Sequence, residues 1–197
     1  MKPAALADSA HPAHPSQAGS GIRLLLWDIQ SPINFGMLLR LAETYRVPVA
    51  AYGRDHTSST TARDFACGAL ERAGLRLLPD ISSLGAWQGN GRLIATTIEA
   101  GSESLLDFRF LPDDVIVLGN EYDGLPPELE RSAHVRLTIP MADVWTPKPR
   151  SASPIDPTRV APVSRDGSPN LNVAMAGGII CYAAHARALQ DWANRLD

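Results

Sequence analysis

Residues 22–27 read Ile-Arg-Leu-Leu-Leu-Trp, and residues 28–32 continue as Asp-Ile-Gln-Ser-Pro. The apolar run is short and gives way to polar residues and a proline, which is typical of a buried strand followed by a loop. Asn34 then precedes a stretch, 35–45, in which apolar residues recur at helical spacing, so we expect Asn34 to cap a helix. This part of the chain predicts a strand, a loop and a helix, the first unit of an α/β fold.

The same alternation continues along the chain. Further strands are predicted at 47–52, 75–78, 93–98, 115–118 and 135–139. Helices are predicted at 60–70, 81–87, 126–132 and 171–187. Several strands are apolar without a polar alternation, which indicates that both of their faces are buried. We therefore predict an α/β fold with a mostly parallel sheet and helices on both faces.

Two segments stand outside this pattern. Residues 1–20 are rich in Ala, Pro, Ser and His, bury little, and predict a disordered N-terminal tail before a single domain at 21–197. Residues 142–169 contain six prolines and no helical period, which predicts a long loop inserted into that domain. Its local positive charge leaves three interpretations open: a lid, an RNA-binding arm, or a disordered segment.

Composition limits the function classes. The formal net charge of -3 gives no global attraction to a polyanion, so binding of a nucleic acid needs a local basic patch. Cys67 and Cys181 have neither the spacing of a zinc site nor that of a disulfide framework. No apolar run reaches the roughly 18 residues of a membrane span. We expect a cytoplasmic protein with no metal and no membrane partner.

Common nucleotide and hydrolase signatures are missing. The loop after the first strand, 28–32, has no glycine, whereas a dinucleotide-binding fold places GxGxxG there. This disfavours a nicotinamide oxidoreductase. The chain also lacks a Walker A sequence and the GxSxG elbow of α/β serine hydrolases.

Three segments follow the carboxyl ends of predicted strands, where open α/β sheets bind ligands. They are Asn-Phe-Gly-Met-Leu-Leu-Arg-Leu-Ala at 34–42, Leu-Gly-Asn-Glu-Tyr-Asp-Gly-Leu-Pro at 118–126, and Ile-Pro-Met at 139–141 with Asn-Leu-Asn-Val-Ala at 170–174. Each alone also has a structural interpretation. Asn34 and Asn172 are suitable helix caps, and Gly119 and Gly124 are suitable turn residues.

Taken together, in this order and spacing, the three segments resemble the signature motifs of the SpoU-type, or TrmH-like, RNA methyltransferases of the SPOUT class. The resemblance covers nearly all of residues 22–189. It implies methylation of a ribose 2'-hydroxyl in RNA with S-adenosylmethionine as the donor, a C-terminal trefoil knot, and a homodimer with the active site near its interface. We expect tRNA as the substrate, with rRNA second.

The resemblance also implies the site residues. The catalytic residues would be Asn34, Arg40, Glu121 and Asn172, and Arg40 would clamp a phosphate or stabilise charge on the hydroxyl oxygen. Asn34 would orient Arg40 or the ribose, Glu121 would polarise the hydroxyl or hold Arg40, and Asn172 would position the substrate. By the same resemblance, the residues expected to bind S-adenosylmethionine are Thr96, Gly119, Ile139, Pro140, Met141, Asn170 and Leu171.

Two features leave alternatives open. The family usually has serine where this chain has Asn170, and the 142–169 insert replaces a short link. Both motivate a non-catalytic knotted dimer that binds RNA or S-adenosylmethionine. For Arg40, the structural alternative is a salt bridge to Glu43 or Glu121.

Overall fold

The computed structural model describes residues 19–99, 101–142 and 171–195. Its strands are β1 (Arg23–Trp27), β2 (Val49–Tyr52), β3 (Arg76–Leu78), β4 (Leu93–Thr96), β5 (Glu103–Ser104), β6 (Val115–Leu118) and β7 (Val135–Thr138). Its helices are α1 (Pro32–Thr44), α2 (Thr60–Ala66), α3 (Ala69–Arg72), α4 (Ser83–Gln88), α5 (Pro127–Ser132) and α6 (Val173–Ala193). The strands form one sheet in the order β3-β2-β1-β6-β4-β7-β5 with every pair parallel, which confirms the predicted fold class.

Helices cover both faces of the sheet because successive strand residues point in opposite directions. Leu24 and Leu26 of β1 face a core formed with α1, α2, α3 and α6. Leu25 faces a second core that includes Leu84 of α4 and Leu129 of α5. The central strands are thus buried on both sides, as their continuous apolar runs predict.

The start of α1 differs from its prediction. The predicted cap at Asn34 is wrong, because the helix begins at Pro32 and its cap is Ser31, whose hydroxyl oxygen accepts a hydrogen bond from the Asn34 N–H at 3.3 Å. Proline suits the first helical position, since its missing N–H has no partner there in any case. Asn34 lies instead in the first turn, buried, with its amide available for other contacts.

The predicted helix at 60–70 is two helices. Cys67 adopts a left-handed conformation with φ 51° and ends α2, and α3 begins after Gly68. At the crossing of α1 and α2, a Cβ on Gly36 would lie 2.3 Å from the Ala62 carbonyl oxygen, so only glycine fits there. Strand β5 was not predicted, because its two residues are too few to show an apolar alternation.

The last helix begins at Val173 after the cap Asn172, as expected, and continues past the predicted end at 187 to Ala193. Among the helices of residues 19–99, 101–142 and 171–195, none combines the length and apolar character needed to cross a membrane. Nearly all of the predicted tail and of the 142–169 insert, together with Asn170, falls outside these residues. The trefoil knot stays a prediction.

Candidate active site

A carboxylate from the loop after β6 lies against the start of α1. Strands β1 and β6 are parallel neighbours, so the loops that follow them meet at one edge of the sheet. Glu121 accepts hydrogen bonds from the backbone N–H groups of Gln30 at 2.8 Å and Ser31 at 3.1 Å, and from Asn34 Nδ2 at 2.6 Å. A helix N-terminus favours negative charge, which adds to these bonds. Glu121 therefore fixes the β1–α1 loop.

Asn172 joins this arrangement from the third motif. Its Nδ2 donates to Asn34 Oδ1 at 3.0 Å, and its Oδ1 accepts from the N–H of Ala174 at 2.8 Å and of Met175 at 3.4 Å. The same side chain thus caps α6 and holds Asn34. Three of the four predicted catalytic residues, Glu121, Asn34 and Asn172, form one hydrogen-bonded chain, which we call the motif cluster.

Arg40 lies apart from the motif cluster. It follows Asn34 by six residues, which is about 9 Å along the helix axis and about 240° around it. Its exposed guanidinium donates from Nη1 to the Cys67 sulfur at 3.4 Å. Within one chain the structure therefore does not bring Arg40 to the other predicted catalytic residues.

The structural alternative for Arg40, a salt bridge, is absent among the described residues. Glu43 instead pairs with Arg72, whose Nε donates to Glu43 Oε1 at 2.5 Å, and this hydrogen bond lowers the pKa of Glu43 from its ordinary value. Glu121 is held by the start of α1. The positive charge of Arg40 therefore meets no carboxylate in the described part of its own chain.

A tight turn presents Glu121 to α1. The backbones of Asn120 and Gly124 exchange two hydrogen bonds of 3.1 Å, and Asn120 Oδ1 accepts from the Tyr122 N–H at 2.9 Å. A Cβ on Gly119 would lie 2.5 Å from the carbonyl carbon of Gly124, so the strand end and the turn pack backbone to backbone. Any side chain at position 119 would displace the turn that carries Glu121.

A cavity of about 1510 Å³ opens beside the motif cluster, at the carboxyl ends of β4, β6 and β7. Glu121 and Asn172 form part of its wall. Five of the seven predicted cofactor residues also line it: Thr96, Gly119, Ile139, Met141 and Leu171. Pro140 is exposed between two of these, and Asn170 falls outside the described residues.

The chemical character of this cavity fits a nucleoside cofactor. Leu118, Ile139 and Leu171 offer apolar walls for a base, and the turn at Gly119 offers backbone groups for polar atoms. The Thr96 hydroxyl is already used, since it donates to the Val117 carbonyl at 2.7 Å. These residues therefore offer backbone groups and apolar contacts for recognition, while charged side chains such as Arg131 and Arg136 also line the cavity.

A family model described as the SpoU rRNA methylase family matches residues 21–146. The chain belongs to the SpoU rRNA methylase family. A curated relative, the tRNA (cytidine(34)-2'-O)-methyltransferase of Beijerinckia indica subsp. indica, is 29% identical over 121 residues, which are 60% of this chain and 76% of the relative. SpoU membership confirms the predicted enzyme class, an RNA ribose 2'-O-methyltransferase that uses S-adenosylmethionine.

Solved structures agree with the SpoU assignment. One that concerns the 2-OH methylation of C/U34 on tRNA has 27% identity and a TM-score of 0.64, and the match covers 86% of this chain and 97% of the other. An AdoMet-bound rRNA methyltransferase from Sinorhizobium meliloti has 24% identity and a TM-score of 0.66, covering 89% and 59%. The second of these shows that the fold is shared.

Three residues that support this SpoU site were not predicted. Gln30 and Ser31 hold Glu121 through backbone N–H groups, which leave no side-chain signal in a sequence. The Ser31-Pro32 pair is nevertheless a helix-start signal and points to the correct cap. Buried His56 also supports this loop, with its Nε2 at 2.9 Å from the Ile29 carbonyl oxygen.

Proposed function

We propose that this chain methylates the ribose 2'-hydroxyl of cytidine or uridine 34 in tRNA, with S-adenosylmethionine as the donor. The observation that carries the proposal is the motif cluster on the wall of a cavity suited to a nucleoside. The names of the relatives support tRNA and position 34. A tRNA substrate in turn supports the cytoplasm as the location.

In this reaction the protein must align and activate a weak nucleophile, the ribose 2'-hydroxyl. When bound, S-adenosylmethionine supplies a methyl group on a sulfonium: the sulfur–carbon bond breaks, a bond to the 2'-oxygen forms, and the hydroxyl proton leaves. Asn172 is exposed at the cavity wall, where its amide is placed to hold the ribose. Arg40 stays charged, so it binds a phosphate and stabilises negative charge that develops on the 2'-oxygen.

We assign Glu121 a positioning role. Its two oxygens already accept three hydrogen bonds from the start of α1, and one donor is Asn34. Asn34, held in this way, accepts a hydrogen bond from Asn172 and so fixes the orientation of the Asn172 side chain. The carboxylate thus acts through the orientation of two amides, and proton removal from the hydroxyl is left to another group or to water.

A homodimer explains how Arg40 joins the site. Helix α6 buries one face and exposes Met175, Ile179 and Tyr182, at 55%, 38% and 63%, on the opposite face. These residues recur at i, i+4 and i+7, and a helix that is apolar on both faces is normally buried on both. We propose that a second copy covers this stripe and that Arg40 of each chain serves the partner's cavity.

The remaining parts of the chain complete the proposal. We keep residues 21–197 as one methyltransferase domain, with 142–169 as an insert between Ile139 and Leu171 in the sequence. Asn170, in place of the usual serine, retains a polar group but no hydroxyl. Neither feature removes a member of the motif cluster, which favours the catalytic proposal over the non-catalytic one.

Transfer of labelled methyl groups to defined RNAs tests this proposal. Unmodified tRNA transcripts with C34 or U34 should accept label, and the same tRNA with a 2'-deoxyribose at position 34 should not. Nuclease digestion should return the label as a 2'-O-methyl nucleoside. Binding of S-adenosylmethionine without transfer to tRNA or rRNA would instead support the non-catalytic dimer.

A further inference from the structure

Two aromatic rings stack on the sheet edge that carries the site. Trp27 ends β1, Tyr52 ends β2, and the two residues are paired in register. Their ring centroids are 4.5 Å apart, with an angle of 34° between the planes. Leu25 and Ala50, two residues earlier on the same face, are fully buried, whereas both rings remain partly exposed. The pair therefore rests on the second core and borders solvent.

The backbone that carries this aromatic pair borders the proposed active site, while the two rings pack on the second core and do not line the cavity itself. Leu26 is paired with Leu118 on β6, so Trp27 lies one residue further along, beside Gly119 of the cavity wall. Neighbouring strands are about 4.8 Å apart. Along the chain, Trp27 is three residues before Gln30, whose N–H binds Glu121, a distance of at most about 11 Å.

An exposed arginine follows the pair in the chain. Arg54 follows Tyr52 by two residues and its backbone N–H donates to Asp28 Oδ1 at 3.0 Å, which fixes the loop after β2. The side chain of Arg54 is exposed and has no ion pair within the described ranges. Partly exposed aromatic rings beside an arginine are the combination that binds unpaired bases with their phosphates.

We propose that Trp27 and Tyr52 form a stacking platform for an unpaired RNA base that neighbours the methylated nucleotide, with Arg54 on its phosphate. The inference rests on the proposed function, since it names a substrate contact of the same site. Position 34 lies in a single-stranded loop, where bases are free to stack on protein rings. The platform recognises the ring face of a base, so it favours a single-stranded loop over a duplex without selecting one sequence.

Replacement of Trp27 tests the platform in the full-length protein. The substrate is an anticodon stem-loop with 2-aminopurine next to nucleotide 34, whose fluorescence reports stacking. Trp27→Leu should raise the KM for this RNA by about 5- to 150-fold, the range that loss of one base–aromatic stack produces. The affinity for S-adenosylmethionine should stay at the wild-type value. Trp27→Phe keeps a ring and should recover most of the RNA affinity and the fluorescence change.

A second tryptophan provides the matched control. Trp87 also packs against the second core, but it lies at the opposite end of β1, where Arg23 donates to its carbonyl oxygen at 2.7 Å. Trp87→Leu should lower the melting temperature without raising the KM for RNA. Tyr52→Leu should raise that KM, and it replaces Trp27→Leu in the test if the latter does not fold.

The outcomes separate the two proposals. Absence of transfer from the wild-type protein to any RNA contradicts the proposed function. Transfer by the wild type, with an unchanged KM in folded Trp27→Leu and Tyr52→Leu, contradicts the platform alone. Equal losses of RNA and S-adenosylmethionine affinity in Trp27→Leu would also overturn it, because they would show a purely structural role for the ring.

Discussion

Asn172 donates a hydrogen bond to the side-chain oxygen of Asn34 at 3.0 Å, across 138 residues of sequence. The direction of this bond is fixed at both ends. The Asn34 nitrogen is used by Glu121, and the Asn172 oxygen is used by the N–H of Ala174. The remaining group of each amide forms the bond between them: the side-chain oxygen of Asn34 accepts and the side-chain nitrogen of Asn172 donates. Substitutions that change one group at a time can separate the network from the helix cap.

Asn172→Asp and Asn172→Ala form such a pair. Asp keeps the oxygen that caps α6 but replaces the donor to Asn34 with a second acceptor, so we expect the helix cap to survive and kcat to fall. Ala loses both, and should in addition lower the free energy of unfolding by about 1 kcal/mol, the usual value of a cap. Urea denaturation and single-turnover methyl transfer measure the two effects. Wild-type transfer by Asn172→Asp would contradict the proposed role of the bond.

Glu121→Gln should weaken both the fold and the reaction. The added NH₂ group replaces an acceptor in front of N–H donors from Gln30, Ser31 or Asn34, and one unsatisfied buried group costs about 1–3 kcal/mol. We expect a lower urea midpoint and a lower kcat. The control is Glu128→Gln, since Glu128 is exposed and contacts only Arg131 among the described residues; its effect should stay within about 0.5 kcal/mol.

The sequence predicts some elements better than others for identifiable reasons. Residues 115–118 match β6 because all four are fully buried, and no competing signal interrupts the apolar run. The cap of α1 was misplaced because Asn34 and Ser31 are both good caps, and only the following Pro32 distinguishes them. Local patterns did not reveal β5, whose two residues are ordered by pairing with β7.

For the site, the motifs predict which residues matter but not how they meet. The contact between Asn34 and Asn172 depends on how α6 packs against α1, which no local pattern encodes. The separation of Arg40 from Asn34 follows from the helical period, so it can be predicted from the sequence spacing alone. The backbone donors to Glu121 are invisible in a sequence, because every residue except proline has the same N–H group.

Arg40→Ala should reduce transfer without reducing stability. The guanidinium is exposed and donates a hydrogen bond to the Cys67 sulfur, so the free energy of unfolding should change by less than about 0.5 kcal/mol. Loss of one group that stabilises developing charge should lower kcat by about 100-fold or more. Arg63→Ala, which removes an exposed arginine paired with Glu71 on the next helix, is the control and should transfer normally. An active Arg40→Ala would remove Arg40 from the mechanism.

The two thiols should differ in reactivity. Burial raises the pKa of Cys181 to about 12, so at pH 8 this thiol is almost entirely protonated as well as inaccessible, whereas Cys67 is exposed. We expect Ellman's reagent to titrate one thiol per folded chain and both after unfolding. A group attached to Cys67 would lie against Arg40 and should slow transfer. Cys67→Ala should make transfer insensitive to the reagent, and a sensitive variant would refute this link.

Ile179→Glu should separate the proposed dimer and abolish transfer. The substitution places a charge in the apolar stripe of α6, where a partner would have to bury it without a counter-charge. Sedimentation should show monomers that remain folded by circular dichroism. Ile81→Glu is the matched control, because Ile81 is 51% exposed and precedes α4, which packs on the opposite face of the sheet from α6. It should leave the dimer intact.

Mixed dimers then test whether the site is shared between chains. If Arg40 serves the partner's cavity, Arg40→Ala and Asn172→Asp chains each have a strongly reduced kcat alone, but a mixed dimer contains one site with both residues intact. Random pairing of co-expressed chains should restore about a quarter of wild-type activity, since half of the dimers are mixed and half of their sites are complete. If Arg40 and Asn172 act within one chain, every site lacks one of them and no activity returns.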